Sequence, residues 1–275
     1  MKNLFKILGL LSLTCFSFFV TEKTVLVVNN MDDIMVQIKQ NKDKYKEKAK
    51  NAVIKNNTII PGINGRIVNS KRSYKNMKIN GYYSEKLFIY DYNKPIVSLE
   101  DNKNKYIIKG NVNKRMVSLI FKIKNNTDIT NIVNILNNYM AKSTFFVDIN
   151  WFSNNTNIVE QLIKEGHNVG ILLDNYDTDD FLWTDAVIKN INKQKHGFCY
   201  NAEKIEVCAE NNDYTIKPIE ISEYTPLVDL KKYIDDENLF SFEVNSELKK
   251  ELINIIIYIK SKGKKIENLE NHILE

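Results

Sequence analysis

The sequence is poor in the residue types that commonly hold metals. It has three histidines and three cysteines in 275 residues, and no arginine follows Arg115. Neither His196 nor His272 has a cysteine, histidine or carboxylate partner at the spacing of a metal site. These absences argue against a metal centre built on histidine, and we predict no cofactor.

The sequence also lacks an apolar run long enough to be a clear membrane-spanning helix. Its first residues nevertheless have the order of an export signal, with Lys2 and Lys6, an apolar run from Ile7 to Val20, and a return to charge at Glu22. No small-x-small cleavage site follows cleanly, so removal and retention both stay open. We therefore predict a signal peptide or N-terminal membrane anchor at residues 1–21. The protein is expected to be exported, to the extracellular face of the membrane or the cell wall, and to be either anchored or secreted.

Beyond that segment only two cysteines remain, Cys199 and Cys208, nine positions apart. An exported chain meets surroundings that do not keep thiols reduced. The pair is therefore a disulfide candidate, and the alternative is two small buried residues with free thiols.

Charge is unevenly distributed along the chain. Residues 1–115 hold 22 lysines and arginines against nine aspartates and glutamates, whereas residues 116–275 hold 17 against 25. The acidic second part argues against nucleic acid as a partner. The basic first part fits either a solvated lysine-rich stem or a surface that lies against anionic lipid or wall polymer.

Two segments are predicted between the export signal and the main domain. Residues 22–55 contain a helical pattern whose apolar face fades after two turns, which predicts a helical stalk. Residues 56–115 are broken by a Pro-Gly and an Asn-Gly pair and contain only short apolar runs. We interpret them as a basic leader with little core of its own that packs on the following domain.

Strand and helix patterns alternate from residue 116 to residue 275. Short apolar strands such as "MVSLIF", "STFFVD" and "HNVGILL" are separated by helical patterns such as "DITNIVNILNNYMA", and "YTIKPIEI" and "LFSFEV" predict further strands. About seven such units predict an α/β domain in which a parallel sheet forms a distorted or incomplete (β/α) barrel. Active faces of such folds lie at the carboxyl ends of the strands.

The first three of these strands resemble the polysaccharide deacetylase (NodB-homology) family. That family has V-x-L-T-F-D-D-G in its first strand, A-T-F-F-V in its second and E-G-H-x-[IV]-G before its third. The positions that match here are Val117, Leu119, Phe121, Thr144, Phe145, Phe146, Val147, Glu165, Gly166, His167, Val169 and Gly170. The resemblance implies the barrel of that family over residues 116–275.

The resemblance also implies where catalytic groups should lie, and this chain lacks them. Family members remove acetyl groups from glycans with a metal held by one aspartate and two histidines and with a second aspartate as base. The base position is Lys122, the aspartate ligand position is Ile123, and the two histidine positions are Leu172 and Tyr176. The family's orienting arginine and its late histidine have no counterpart. His167 matches a family position remote from the chemistry and is expected to be structural.

Two other sets of residues are candidates for binding. The loop "LDNYDTDD" is a weak metal candidate, and a solvated loop with a helix cap is the favoured interpretation. Aromatic residues in a groove inherited from an enzyme are candidates for stacking on sugar rings, although lone aromatics more often belong to a core. The acidic candidates are Asp174, Asp177, Asp179 and Asp180, and the aromatic candidates are Trp151, Phe152, Tyr176 and Trp183.

The sequence therefore predicts an exported deacetylase-like protein that has lost catalysis and binds a cell-wall glycan or an envelope protein. Membrane contact is expected through the N-terminal segment. The alternative is an active deacetylase of acetylated glycan, acting on C–N bonds, with metal chemistry rebuilt on the acidic loop. A third hypothesis is a structural envelope component held by protein contacts.

Overall fold

The computed structural model describes residues 32–125, 127–173, 177–200, 203 and 205–275. The predicted signal or anchor at residues 1–21 lies outside this part of the chain. No helix among the described residues is long and apolar enough to cross a membrane. The chain divides into two compact units, and the described residues of the first are 32–49 and 64–93. The second comprises residues 50–63 and 94–275.

The two units contain the following helices and strands. The α-helices are α1 (Asp33–Asn41), α2 (Ser70–Asn80), α3 (Thr130–Asn138), α4 (Ile149–Asn154), α5 (Thr156–Lys164), α6 (Thr178–Asn192), α7 (Ile205–Glu210), α8 (Pro226–Tyr233), α9 (Ser246–Ser261) and α10 (Leu269–Ile273). The strands are β1 (Val53–Lys55), β2 (Thr58–Ile60), β3 (Gly65–Val68), β4 (Tyr90–Asn93), β5 (Tyr106–Ile107), β6 (Met116–Ile123), β7 (Thr144–Val147), β8 (Asn168–Leu172), β9 (Phe198–Tyr200), β10 (Tyr214–Ile216), β11 (Ile219–Glu220), β12 (Leu239–Glu243) and β13 (Lys265–Ile266).

The first unit has a core of its own, which corrects the interpretation of its described residues as part of a bare helical stalk (22–55) and of a leader with little core (56–115). Helix α1 ends at Asn41 and packs against α2, and β3 pairs with β4 in an antiparallel ribbon. Ile38, Val68, Met77 and Phe88 form the buried cluster. These residues are scattered over 51 positions, so no local periodicity in the sequence predicts that they form a core.

The rest of the predicted leader belongs to the second unit. Strands β1, β2 and β5 extend the main sheet, whose order is β1-β2-β5-β10-β9-β8-β7-β6-β12-β11, with β13 beside β6. All of its pairs are parallel except β1 with β2. The alternation of strands and helices in the sequence thus correctly predicted a parallel sheet with helices.

The main sheet is curled into a half-open barrel. Strand β10 ends at Ile216 and β11 begins at Ile219, yet five strands lie between them along the sheet. Three Cα-to-Cα steps span at most about 11 Å, so the sheet must bend to bring these two strands close together. The stretch "YTIKPIEI" is therefore two strands rather than one, and Pro218, which has no N–H to donate, lies at the break.

Residues on alternate positions of the strands enter two different cores. Leu119, Phe121 and Ile123 face the outer helices, whereas Ile120 faces the interior of the barrel. A Cβ at Gly170 would come within 2.5 Å of the Phe146 ring, so this interior position requires glycine. The interior is therefore closely packed around this strand.

Helix α10 fills the amino end of the barrel. The His272 Nδ1 atom lies 2.9 Å from the Ser118 hydroxyl of β6, and the Leu269 N–H donates to the Thr144 hydroxyl of β7 at 3.0 Å. His272 is completely buried. The C-terminal helix is thus part of the core, and the carboxyl end of the barrel is the end available for a site.

Cys199 of β9 and Cys208 of α7 are joined by a disulfide, with their Cα atoms 6.4 Å apart. Both residues are fully buried in the outer core. The bond fixes α7 to the strand that carries Tyr200, and it closes a short loop of the chain.

Removal of this disulfide in the double variant Cys199→Ser/Cys208→Ser is expected to lower the free energy of unfolding by roughly 2–3 kcal/mol, because the unfolded chain regains the entropy of a ten-residue loop. Urea unfolding with and without reductant measures the change. The wild type should lose a similar amount on reduction, and the variant should not respond to reductant. Equal stability of the oxidised wild type and the variant would contradict the expectation.

Candidate functional site

Lys122 lies at the carboxyl end of β6, on the face that points into the barrel. Its Nζ atom is 2.7 Å from a Glu220 carboxylate oxygen and 2.8 Å from a Glu243 carboxylate oxygen. Glu220 belongs to β11 and Glu243 to β12, so the two strands next to β6 on that side both contribute a partner. The Lys122 side chain is 13% exposed. The centre of the barrel mouth is therefore an ammonium group held between two carboxylates.

Tyr200 completes this cluster from β9, on the other side of the barrel. Its hydroxyl donates to Glu220 and lies 2.7 Å from the Ser241 hydroxyl of β12. The Lys122 ammonium stands 5.6 Å from the centre of the Tyr200 ring, within the range of a cation–π contact. We call Lys122, Tyr200, Glu220 and Glu243 the lysine centre.

The electrostatics of the lysine centre keep its lysine charged. Burial disfavours the ammonium form of Lys122, but hydrogen bonds to Glu220 and Glu243 and their negative charges outweigh this and raise its pKa. Burial and the bond to Glu220 also raise the pKa of Tyr200. At neutral pH the lysine is therefore a cation and the tyrosine is neutral, and neither has the protonation state of a general base.

A cavity of about 410 Å³ opens beside the lysine centre. Its wall continues from Glu220 through Ser222, Glu223 and Tyr224 to Asp229. Tyr224 is 83% exposed, so its ring is free to meet a ligand. The cavity lies at the carboxyl ends of the strands, where this class of fold carries its sites.

The described positions that correspond to catalytic residues of the resembled family do not provide metal ligands. Ile123 follows Lys122 in the strand and packs in the outer core, facing away from the lysine centre. Leu172 ends β8 and is buried in the barrel interior. Tyr176 lies outside the described residues. Lysine, isoleucine and leucine side chains give no anionic oxygen or neutral imidazole to a divalent metal.

The structure corrects two of the aromatic candidates for glycan binding. Trp151 is 2% exposed, and its indole N–H donates to the Thr127 carbonyl at 3.0 Å. Phe152 is fully buried and packs edge-on against Trp183. Both are core residues, because α4 presses them against the outer face of the sheet. Trp183 is 53% exposed on α6 and remains a candidate.

The acidic candidates behave as a helix cap where the structure describes them. Asp177 precedes α6, and its carboxylate accepts the Asp179 N–H at 2.8 Å. Asp179 and Asp180 are exposed in the first turn, where negative charge favours the helix dipole. Asp174 lies outside the described residues. Within the described part of the chain, no three histidine, cysteine, aspartate or glutamate residues are grouped so as to hold a metal.

The three histidines have structural partners. His167 accepts the Ser143 N–H at 3.2 Å through Nδ1, and its ring packs edge-on against Phe145. His196 lies 2.9 Å from Glu270. Burial, followed by nearby lysine charge, lowers the pKa of His167 to about 4 and that of His272 to about 3. Both buried rings are neutral at pH 7.

Comparison with known proteins relates part of this barrel to a known family. Residues 109–200 match the model of the polysaccharide deacetylase family. A curated Bacillus subtilis (strain 168) protein, called Uncharacterized protein YlxY, is 36% identical over 149 residues, which are 54% of this chain and 47% of that protein. The matched part thus spans about half the length of that relative. These findings support a degenerate polysaccharide deacetylase domain, in which the described positions of the family's metal and catalytic residues hold Lys122, Ile123 and Leu172.

Solved structures share the fold. BA3943 of Bacillus anthracis, described as a CE4 family pseudoenzyme, superposes with a TM-score of 0.62 and 21% identity over 89% of this chain and 96% of that one. A mutant of BA3943 is described as having restored enzymatic activity, with a TM-score of 0.62 and 22% identity over 89% of this chain and 99% of that one. The Bc1960 peptidoglycan N-acetylglucosamine deacetylase has a TM-score of 0.53 and 17% identity over 61% of this chain and 92% of that one.

Sequence reasoning found Lys122 but missed its partners. Glu220 and Glu243 each end a short strand, as "PIE" and "FSFE" show, and carboxylates at strand ends of a barrel were the available signal. Tyr200 ends the strand "FCY" in the same way. The pairing itself required the strand order, because β11 precedes β12 in the chain but lies beyond it in the sheet.

Replacement of Lys122 by methionine is expected to destabilise the protein by about 1–2 kcal/mol at pH 7, because two carboxylates lose their shared cation in a partly solvated site. Urea unfolding measures the loss. The triple variant Lys122→Met/Glu220→Gln/Glu243→Gln is the matched control, and it should recover most of the stability. An equal loss in both variants would show that packing, and not charge, is responsible.

The free energy of unfolding should fall as the pH drops below about 6.5, because unfolded histidines bind protons there while buried His167 resists until about pH 4. Above about pH 6.5 this histidine is neutral in both the folded and the unfolded state, so it makes no pH-dependent contribution to stability there. Asp213, whose pKa burial and Asp185 raise, acts in the opposite direction. A variant that removes only the histidine is therefore needed to isolate it.

His167→Asn keeps an acceptor for the Ser143 N–H and removes the titrating ring. Its stability, measured by urea unfolding at pH 7, 6 and 5, should depend less steeply on pH than that of the wild type. Parallel pH profiles of the two proteins would contradict the assignment of His167 as a buried neutral histidine.

Proposed function

We propose that this protein is an exported, catalytically inactive member of its family that binds a glycan of the cell envelope through the cavity beside the lysine centre. The observation that carries the proposal is the Lys122 ammonium, held by Glu220 and Glu243 where the family's catalytic base belongs. A positive charge fixed at this point opposes a divalent cation nearby. The cavity remains open although the hydrolytic groups are gone.

The chemistry of the replaced residues supports loss of hydrolysis. A charged lysine cannot accept a proton from water, and Ile123 and Leu172 cannot coordinate a metal. The fold, in contrast, is shared with BA3943, which superposes over 89% of this chain with a TM-score of 0.62. BA3943 is a pseudoenzyme for which a mutant has restored activity, so inactivity is compatible with an intact framework in this fold.

The exposed Tyr224 ring beside the cavity supports a sugar as the ligand. Aromatic faces present apolar surface to the C–H groups of sugars, and the surrounding carboxylates and serine offer hydrogen-bond partners for hydroxyl groups. The predicted export signal supports the cell envelope as the place of action. A glycan of the wall, which the family's active members recognise, is therefore the proposed ligand.

The purified protein should release no acetate from acetylated peptidoglycan or chitin oligomers, with or without added zinc, cobalt or manganese, yet it should bind the same glycans. Tyr224→Ala should weaken binding about tenfold, through loss of an aromatic contact of roughly 1–1.4 kcal/mol. Tyr92→Ala, which removes another exposed tyrosine, in the first unit, is the matched control. Isothermal titration and acetate assays measure the two properties.

Two alternatives have distinct outcomes. An active deacetylase with rebuilt metal chemistry would retain about one divalent metal per chain after exhaustive dialysis and would release acetate, and Asp177→Ala or Asp179→Ala would abolish both. An envelope component held by protein contacts would keep its partners in a pull-down after glycan digestion. Acetate release would overturn the proposal, and so would binding to digested but not to intact wall.

A further inference from the structure

Helix α2 of the first unit has four cationic residues on its exposed side. Lys71, Arg72, Lys75 and Lys78 lie within about a third of the helix circumference at 100° per residue, and the helix contains no acidic residue. The opposite side is buried through Ser73 and Met77. The whole described unit holds eleven lysines and arginines against six aspartates and glutamates.

The charges on this side of α2 are only partly compensated. Arg72 lies 3.4 Å from Asp91, and Lys78 lies 3.0 Å from Asp32. Among the described residues, Lys71 and Lys75 have no ion-pair partner and are exposed. Lys71 and Arg72 also stand in the first turn, where the helix dipole disfavours cations. Helix stability therefore does not account for their placement.

Two exposed apolar groups continue the basic side of the helix. Ile79, one turn after Lys75, is 86% exposed, and Tyr82, just beyond the helix end, is 57% exposed. An arc of cations with an isoleucine and a tyrosine at its margin has the composition of surfaces that lie in the headgroup region of anionic bilayers. We call Lys71, Arg72, Lys75, Ile79 and Tyr82 the basic face.

We propose that the basic face docks on an anionic lipid bilayer. The inference rests on the export that is part of the proposed function, but it concerns a different surface and ligand. The apolar run of the predicted N-terminal segment ends at Val20, and eleven residues separate it from Asp32, where the described part of the first unit begins. If this run stays in the membrane, those residues keep the unit within about 40 Å of the headgroups. Charge complementarity favours an anionic partner, and the short distance to the membrane favours lipid over a soluble wall polymer as that partner.

The test places an environment-sensitive fluorophore at residue 79 of the full chain, in an Ile79→Cys/Cys15→Ser protein whose remaining cysteines form the disulfide. Vesicles of phosphatidylcholine alone are compared with vesicles that contain 30% phosphatidylglycerol. The emission should shift to the blue only with the anionic vesicles. We expect 0.5 M NaCl to abolish the shift, because at that salt concentration the attraction between exposed charges is screened beyond a few ångströms. A local probe is used because the N-terminal segment can itself bind vesicles.

Lys71→Glu/Lys75→Glu should weaken the affinity for anionic vesicles by at least about twentyfold, since each cation near an anionic surface contributes about fivefold to binding. The affinity is read from the lipid concentration that gives half of the emission shift. Lys164→Glu/Lys195→Glu, on exposed sites of the second unit, is the matched control and should leave the shift unchanged. Both pairs lie on the surface, and unchanged thermal unfolding checks that folding is retained.

Equal emission with the two kinds of vesicle would overturn the proposal. A shift caused by soluble polyglycerol phosphate, without any shift on anionic vesicles, would also overturn it and identify a wall polymer as the occupant. Glycan binding at the Tyr224 cavity is measured separately, so failure of this inference and failure of the proposed function are distinguishable.

Discussion

The contact between Lys122 and its two glutamates determines both the shape and the chemistry of the barrel mouth. The barrel is half-open, because no described strand pairs β10 with β11. Glu220, on the two-residue edge strand β11, is bound at once by Lys122 of β6 and Tyr200 of β9. These bonds cross the interior and supply a connection that the backbone ladder does not. A short edge strand with few ladder bonds depends on such side-chain contacts to keep its place.

The disulfide and the C-terminal helix α10 also hold strands that carry the lysine centre. Cys199 immediately precedes Tyr200, so its bond to Cys208 fixes the strand that presents the tyrosine. Helix α10 closes the opposite end of the barrel through the Ser118–His272 contact, and Ser118 lies on β6 four residues before Lys122. Among the described residues, apolar side chains such as Ile120, Phe146 and Leu172 lie in the interior between these two ends. The cavity beside the lysine centre is at the end opposite to α10.

How far the sequence predicts this molecule depends on the range over which each signal acts. Strands such as β6 and β8 are largely apolar over a few consecutive residues, so their presence could be inferred from short stretches. Gly170, which matches the resembled family, is required because a Cβ there would meet the Phe146 ring. The buried positions of Trp151 and Phe152 could not, because the same residue types serve cores and sugar sites. The core of the first unit and the Glu220 and Glu243 partners of Lys122 join residues far apart in sequence. Their pairing depends on strand order, which a single sequence does not contain.

An internal ammonium and a bound metal differ in how they stabilise a cluster of carboxylates. A metal site contributes to folding only when free metal is present, by an amount that grows with the logarithm of the metal concentration, and a catalytic metal site must leave a coordination position open for water. The Lys122 ammonium is covalently part of β6, so its attraction to Glu220 and Glu243 is present in every folded molecule. It satisfies the carboxylates but has no vacant orbital to polarise a carbonyl or to acidify water. The ammonium thus stabilises the barrel mouth independently of metal supply, but unlike a bound metal it supplies no activated water for hydrolysis. The adjoining cavity stays open beside it.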